Sequence, residues 1–370
     1  MSAVAARGED RTAAAVSSVQ TVTAALPAVR RPGSRPFWVA LALLAASVVL
    51  SLAVGSVVIP PGALLRLAFG QLAGVSVSGS DASVYAVIFY QLRLPRTALV
   101  ALTGAALAGS GAAYQGLFRN PLADPFLIGV ASGAGLGAVL AMMVRWPYTL
   151  VGLLAVPAAA LLAGLATVAV VYALARFGSS LSSASLILAG VAVSSFATSL
   201  TSYLMLSSQG ELRRAIVWLM GGSAQSGWQP VLAVLPYILV GLGGLALSGH
   251  GLNVLQFGDE QAKQLGLPVE HAQLLTIFAA SLATAAAVAF SGIIGFVGLV
   301  VPHIIRMVCG PDYRRLIPLS ILGGAVMLLL SDVLGRIILA PQEVPVGVIT
   351  ALIGAPFFLW VLRRTRQGRG

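Results

Sequence analysis

The chain has 370 residues, 58% of them hydrophobic and only 9% charged, with a formal net charge of +11. A soluble domain carries about a quarter charged residues, so this composition excludes an ordinary water-soluble fold and points to an all-α polytopic membrane protein. The basic residues lie in loops and tails beside apolar spans, which fits membrane topology and argues against a nucleic-acid partner. One cysteine, Cys309, and three histidines exclude a disulfide framework and argue against a metal site.

Met1 to Pro36 is rich in Ala, Ser, Thr and Arg without a sustained apolar period, and is expected to be a disordered tail. It is too long for a signal n-region, and the apolar run that follows is too long for an h-region. That run, Phe37 to Ile59, reads as a first transmembrane helix, since ~20 residues at 1.5 Å rise cover a ~30 Å hydrocarbon core. Further spans are expected at 97–118, 127–144, 150–175, 185–206, 230–248, 273–290, 293–308, 316–333 and 345–362. They give a ten-helix domain over 37–365, with 293–308 its shortest and most Gly-rich member.

The positive-inside rule supports this count. With the N-terminus in the cytoplasm, inner segments hold fifteen Lys and Arg against seven outside, so both termini are expected to be cytoplasmic. Inside the spans, Gly129, Gly133 and Gly137 form a small-residue ridge, and Gly104/Ala108 and Ala105/Gly109 share its spacing. Such faces let helix backbones approach closely in lipid, and packing within one subunit is the expectation. Gly133-x-Gly135-x-x-Ala138 mimics a dinucleotide fingerprint, but it lies within an apolar span with no preceding strand.

The stretch Gly258 to Pro268 interrupts the apolar chain. It carries Lys263, the single lysine, beside the adjacent acids Asp259 and Glu260. Its charges cannot lie in hydrocarbon, and topology places it on the cytoplasmic face. Small residues and Gly266 suit a short helix that ends abruptly, with the acids at its positive end.

Other polar features are sparse. No G-x-x-x-x-G-K-[ST] loop is present, so the chain does not bind ATP by that mechanism. Asp332 is either a functional acid or half of a helix-end ion pair with Arg336 at i, i+4, and His303 reads as a packed, hydrogen-bonded histidine. Arg93-Leu94-Pro95-Arg96 precedes the second span and Arg336 follows the ninth; they are snorkelling anchors or a basic platform for an acidic partner. Asn120-Pro121-Leu122-Ala123-Asp124-Pro125 forms a turn after the second span. Ser179, Ser180, Ser182 and Ser183 make another before the fifth, where a hydroxyl can cap the helix. Between the fifth and sixth spans, Ala215 to Gly222 is too short to cross and reads as a helix lying in the outer interface or tucked into a vestibule, with Trp218 suited to that depth.

Taken together, these stretches resemble the permease subunits of ABC importers for vitamin B12, iron-siderophores and heme. The resemblance runs from about 37 to 365 and rests on the order of its motifs. These are Arg93–Arg96, Gln115–Pro125, Leu188–Val191, Trp218–Gly222, Gly258–Ala262, Gly295–His303 and Pro345–Val348. It implies a subunit that pairs with a second copy or close homologue around a central pathway in the bacterial inner membrane. Two ATPase subunits, which use ATP and Mg, dock inside, and an extracytoplasmic substrate-binding protein docks outside. This chain itself is then not an enzyme and binds no cofactor.

The resemblance also implies residue roles. Arg93, Arg96 and Arg336 match arginines that receive acids of the binding protein. Asn120, Leu122, Ser182 and Ser183 match the cytoplasmic constriction, with Ala184 standing where relatives carry a hydroxyl. Asp259, Glu260, Gln261, Ala262, Leu265 and Gly266, in a loop near 256–270, match the ATPase-coupling pattern, with Gln261 in place of an alanine. The expected activity is uptake of a metal chelate, ferric siderophore first and cobalamin or heme next, by alternating access. A carrier of another class, driven by an ion gradient without an ATPase, is the competing reading.

Overall fold

The computed structural model describes residues 33–55, 59–60, 62–67, 80–144, 146–147, 149–176, 182–207, 210–222 and 227–367. The expected tail lies outside the described residues up to residue 32, and so do Ser179 and Ser180. An apolar segment in lipid has no water to satisfy its backbone, so these compositions are forced into helices. The elements are α1 (Arg35–Ala53), α2 (Ser80–Val87) with a π turn over Ile88–Arg93, and α3 (Leu94–Leu117). A 3-10 turn (Pro125–Ile128) leads to α4 (Val130–Met142), α5 (Leu150–Ala175), α6 (Ser183–Ser207) and the short α7 (Leu212–Leu219). Then come α8 (Trp228–Leu255), α9 (Asp259–Gln264), α10 (Val269–Ser291), α11 (Val297–Cys309), α12 (Tyr313–Ile337) and α13 (Val346–Gln367).

Among the described residues, seven helical runs are long and apolar enough to cross a membrane, and three shorter apolar helices accompany them. Each of the ten expected spans falls on one of these. However, α4 and α11 have 13 residues apiece, a rise of about 20 Å against a core of about 30 Å.

Three boundaries differ from the sequence reading. First, α1 stops at Ala53, short of Ile59. Second, Arg93–Arg96 lies within a helix and not ahead of one: the helical run continues from Val84 to Leu117 through it. Pro95 has no N–H to give, and the widened turn before it carries the chain on, with Leu94 N–H bonded to Phe89 O. Third, α11 begins only at Val297, because Gly292 (φ +77°) and Phe296 (φ +69°) hold the backbone between them out of the helix. Non-helical backbone at such depth is tolerated where protein covers it. Ile294 is buried here, and a Cβ on Gly292 would fall on the Trp218 carbonyl.

The described residues from Pro36 onward form one compact unit, with α3 at its centre, packed on α8, α10, α11 and α12. Every residue of α3 from Thr103 to Leu117 is buried. Small residues make this possible: Gly104 lies on the backbone of Gly324 in α12 and Gly111 on that of Gly298 in α11. A Cβ at either place would meet a carbonyl. Gly133 and Gly137 sit likewise against Ala159, Ala163 and Thr167 of α5, so these ridges serve packing within the chain. By contrast α1 is peripheral. It buries Ser47, Ser51 and Leu52 while Trp38, Val39 and Leu43 stay exposed, as suits a lipid-facing helix.

Candidate functional site

Two polar clusters form at opposite ends of α3. At its first end, α1, α12 and the segment before α13 meet a group of arginines and acids. Arg93 and Arg336 are buried, 6% and 5% exposed, and both hold α1. Arg93 donates to the Leu52 and Ala53 carbonyls at 2.8 and 3.0 Å. Arg336 donates to Ser51 O at 3.2 Å and to Ser51 Oγ at 3.0 Å, and that hydroxyl lies 2.9 Å from Thr97 Oγ1. These bonds fall on carbonyls at the end of a helix, which have no partner within it.

Asp332, 1% exposed, is the acid between the arginines. Arg96 Nε and Nη2 donate to its Oδ1 at 3.1 and 2.9 Å. Its Oδ2 lies 3.0 Å from Arg336 Nε, although that N–H is aimed at the Asp332 carbonyl, so this contact is an ion pair without a hydrogen bond. The i, i+4 pairing allowed by spacing is present, and Arg96 joins it from another helix. Arg96 Nη1 turns outward to Glu343, 2.8 Å from Oε2 and 3.1 Å from Oε1. A cavity of about 610 Å³ opens beside the cluster, lined by Arg93, Arg96, Gly221, Gly222, Asp332 and Val344 among others.

Two features of this end escaped the sequence reading. Ser51 sits in an apolar run where a hydroxyl gives no positional signal. Glu343 lies in a loop that had no assigned role, although an acid facing three arginines was a usable hint. The short helix α7 was legible: Ala215 and Trp218 are buried on one side of it. His303 differs from expectation. Its ring packs edge-on to Phe357 with centroids 6.3 Å apart, but its buried Nδ1 has no hydrogen-bond partner among the described residues.

The second cluster surrounds α9. Gly258 (φ +103°) turns the chain into it and Gly266 (φ +83°) ends it. The Gly266 N–H bonds to Lys263 O and the Leu267 N–H to Ala262 O, both at 3.0 Å. This paired pattern closes a helix on a left-handed glycine. Asp259 and Glu260 occupy the first turn, where the helix dipole favours acids. Glu260, Gln261, Lys263 and Leu265 face outward, Leu265 at 67% exposed with Phe257 nearby at 65%. Ala262, expected to touch a partner, is fully buried in its own chain and therefore seats the helix.

Beside α9 runs the turn after α3. Arg119, with φ +50°, takes the left-handed position that ends α3: its N–H bonds to Gly116 O and the Asn120 N–H to Gln115 O. Its side chain reaches Asp259, Nη2 to Oδ1 3.4 Å, and Asp259 also accepts from Gln273 at 3.3 Å. Asn120 Oδ1 accepts from the Leu122 N–H at 3.0 Å. Asp124 Oδ1 accepts from the Phe126 N–H at 2.8 Å and so caps the 3-10 turn. Burial pushes the Asp124 carboxyl up to about 6, against the opposing pull of the Phe126 hydrogen bond.

Ser182 caps α6, its Oγ accepting from the Ser185 N–H at 3.0 Å, and Ser183 opens the helix. Its polar group is thus used locally, as is that of Asn120. Two turns on, Gly190 of α6 lies against Leu127. The contact joins α6 to the 3-10 turn Pro125–Ile128, which follows the Asn120–Leu122 turn in the chain. Among the described residues, no group of three His, Cys, Asp or Glu is placed to hold a metal ion.

Comparison with known proteins is consistent over nearly the whole chain. It is 42% identical over 277 residues to the cobalamin import system permease protein BtuC of Halobacterium salinarum, covering 75% of this chain and 73% of that one. It is 41% identical over 289 residues to the hemin transport system permease protein HmuU of Yersinia pestis, covering 76% and 85%. The fold matches a solved inward-facing structure described as a metal-chelate type ABC transporter, with TM-score 0.75, 34% identity and coverage of 89% and 98%. The family model for the FecCD transport family matches residues 43–364. With an apolar helical fold, an α9 built from the expected motif and this match from α1 to α13, the chain belongs to the FecCD transport family.

Proposed function

We propose that this chain is the membrane permease of an ATP-driven ABC importer for a metal chelate, with ferric siderophore the first cargo to test and cobalamin or heme the next. The observation that carries it is the family match over residues 43–364. Relatives named for cobalamin and hemin transport support the cargo class. Two copies, or this chain and a close homologue, enclose the pathway in the bacterial inner membrane with both termini in the cytoplasm. ATP and Mg act on two separate ATPase subunits.

In this reading the α9 end is cytoplasmic. Glu260, Gln261 and Leu265 contact the ATPase, Gly266 gives the helix its abrupt end, and Ala262 anchors it. Asp259 ties α9 through Arg119 to the turn carrying Asn120 and Leu122, which with Ser182 and Ser183 narrows the inner mouth. ATP-driven closure of the ATPases moves α9 and biases the permease between inward- and outward-open states. At the outer end, Arg96 is the docking arginine within a partner's reach, while Arg93 and Arg336 hold its surroundings. Uptake in proteoliposomes containing permease, ATPase and binding protein tests the proposal. It should require ATP and persist with an ionophore, first with a ferric siderophore and then with cobalamin and heme. Uptake without the ATPase that collapses under the ionophore would replace it with the ion-coupled carrier.

A further inference from the structure

We infer that Glu343 is an in-chain stand-in for the acidic side chain of the docking protein, displaced when that protein binds Arg96. This rests on the docking role of Arg96 proposed above. The guanidinium of Arg96 is divided between two acids of different character. Its Nε and Nη2 grip Asp332, which is 1% exposed and also paired with Arg336, and so is fixed. Its outward Nη1 holds Glu343, whose side chain is 48% exposed. An exposed ion pair of this kind is worth little and exchanges readily, whereas breaking the buried one strands a charge. A carboxylate arriving from outside therefore meets Arg96 at Nη1 and finds an acid already there.

The exchange has a structural consequence. Glu343 is followed by Val344, Pro345 and Val346, which line the cavity of about 610 Å³ together with Gly221 and Gly222. The same segment is pinned by the Val344 N–H to Gly335 O at 2.9 Å and opens α13. Displacing Glu343 removes the side-chain tie of this segment to Arg96 at the cavity mouth, so docking is felt where α13 begins. Charge follows the same logic. Arg93, Arg96, Arg336, Asp332 and Glu343 together carry one excess positive charge, and swinging Glu343 away leaves two to meet an acidic partner.

The test titrates a fluorescent substrate-binding protein, the one that restores ATP-dependent uptake by this permease, onto the permease–ATPase complex in nanodiscs. Wild type, E343Q, R96Q and the double variant are compared. If Glu343 holds Arg96 in about four molecules of five, as suits an exposed pair, freeing it tightens the apparent Kd about fivefold. R96Q should weaken docking and abolish the gain from E343Q. In the wild-type complex, docking should speed amide exchange at 342–346, a readout that needs no variant to fold. If R96Q weakens docking but E343Q does not tighten it and exchange at 342–346 is unchanged, Glu343 is a fixed strut and the inference fails alone. If R96Q has no effect on docking, the docking role of Arg96 fails first and the inference with it.

Discussion

Arg119 and Asp259 form an ion pair of 3.4 Å that ties the turn closing α3 to the first turn of α9. Arg119 does this from a left-handed backbone position, φ +50°, that is ordinarily given to glycine. Glycine there removes a strain of about 1 kcal/mol and the side chain together. Arg119→Gly should therefore keep or raise the melting temperature of the purified permease while lowering transport per ATP hydrolysed. Exchanging the charges, Arg119→Asp with Asp259→Arg, should recover part of the lost coupling. A glycine variant that transports normally would show that the pair transmits nothing.

Arg336 is a different kind of arginine, buried and shared between Asp332 and the end of α1. Removing Arg336 leaves Asp332 paired with Arg96 but takes the charged donor from the buried Ser51 carbonyl and the cation from beside Asp332 Oδ2, a cost of about 2–3 kcal/mol. Arg336→Ala should lower stability by that order and loosen α1, seen as faster proteolysis near residue 53. Ser51→Ala, which removes one hydroxyl contact, should cost about 1 kcal/mol. Equal effects from the two would contradict the buried-charge account.

Gly111 has no room for a side chain. A Cβ there would fall on the Gly298 carbonyl of α11, and neither backbone has slack in a close helix crossing. Gly111→Val should cost about 3 kcal/mol or more and reduce monodisperse yield in detergent. The same change at Gly243, whose Cβ would meet nothing within 4 Å, should be far milder. Comparable yields from the pair would argue against the close crossing.

Asp124 makes stability depend on pH. Its folded-state pKa of about 6 lies above the ordinary carboxylate value near 3.9. The folded chain thus holds this proton more tightly than the unfolded chain. Its contribution to stability is fully present below about pH 4, is lost as pH rises to about 6, and is constant above that. Asp124→Asn keeps an oxygen for the Phe126 N–H and removes the titration. The variant should gain about 1–3 kcal/mol on wild type between pH 4 and 7. Thermal unfolding across that range reads the difference, and parallel curves would rule the shift out.

Much of this was legible in the chain itself, because in lipid an apolar run of about 20 residues has helix as its only economical backbone. The ten apolar segments, the amphipathic α7 and the glycine-closed α9 follow from local composition. So does the pairing of Asp332 with Arg336, since one helical turn sets that distance. Tertiary structure decided what local composition cannot encode. It showed that Arg93 and Arg336 turn inward to the end of α1 while Arg96 faces out to Glu343. It also seated Ala262 inside, joined Arg119 to Asp259 across 140 residues, and unwound the chain between Gly292 and Phe296. Each of these depends on which helix lies beside which, a choice made by small residues that let backbones meet and by buried charges that must find one another.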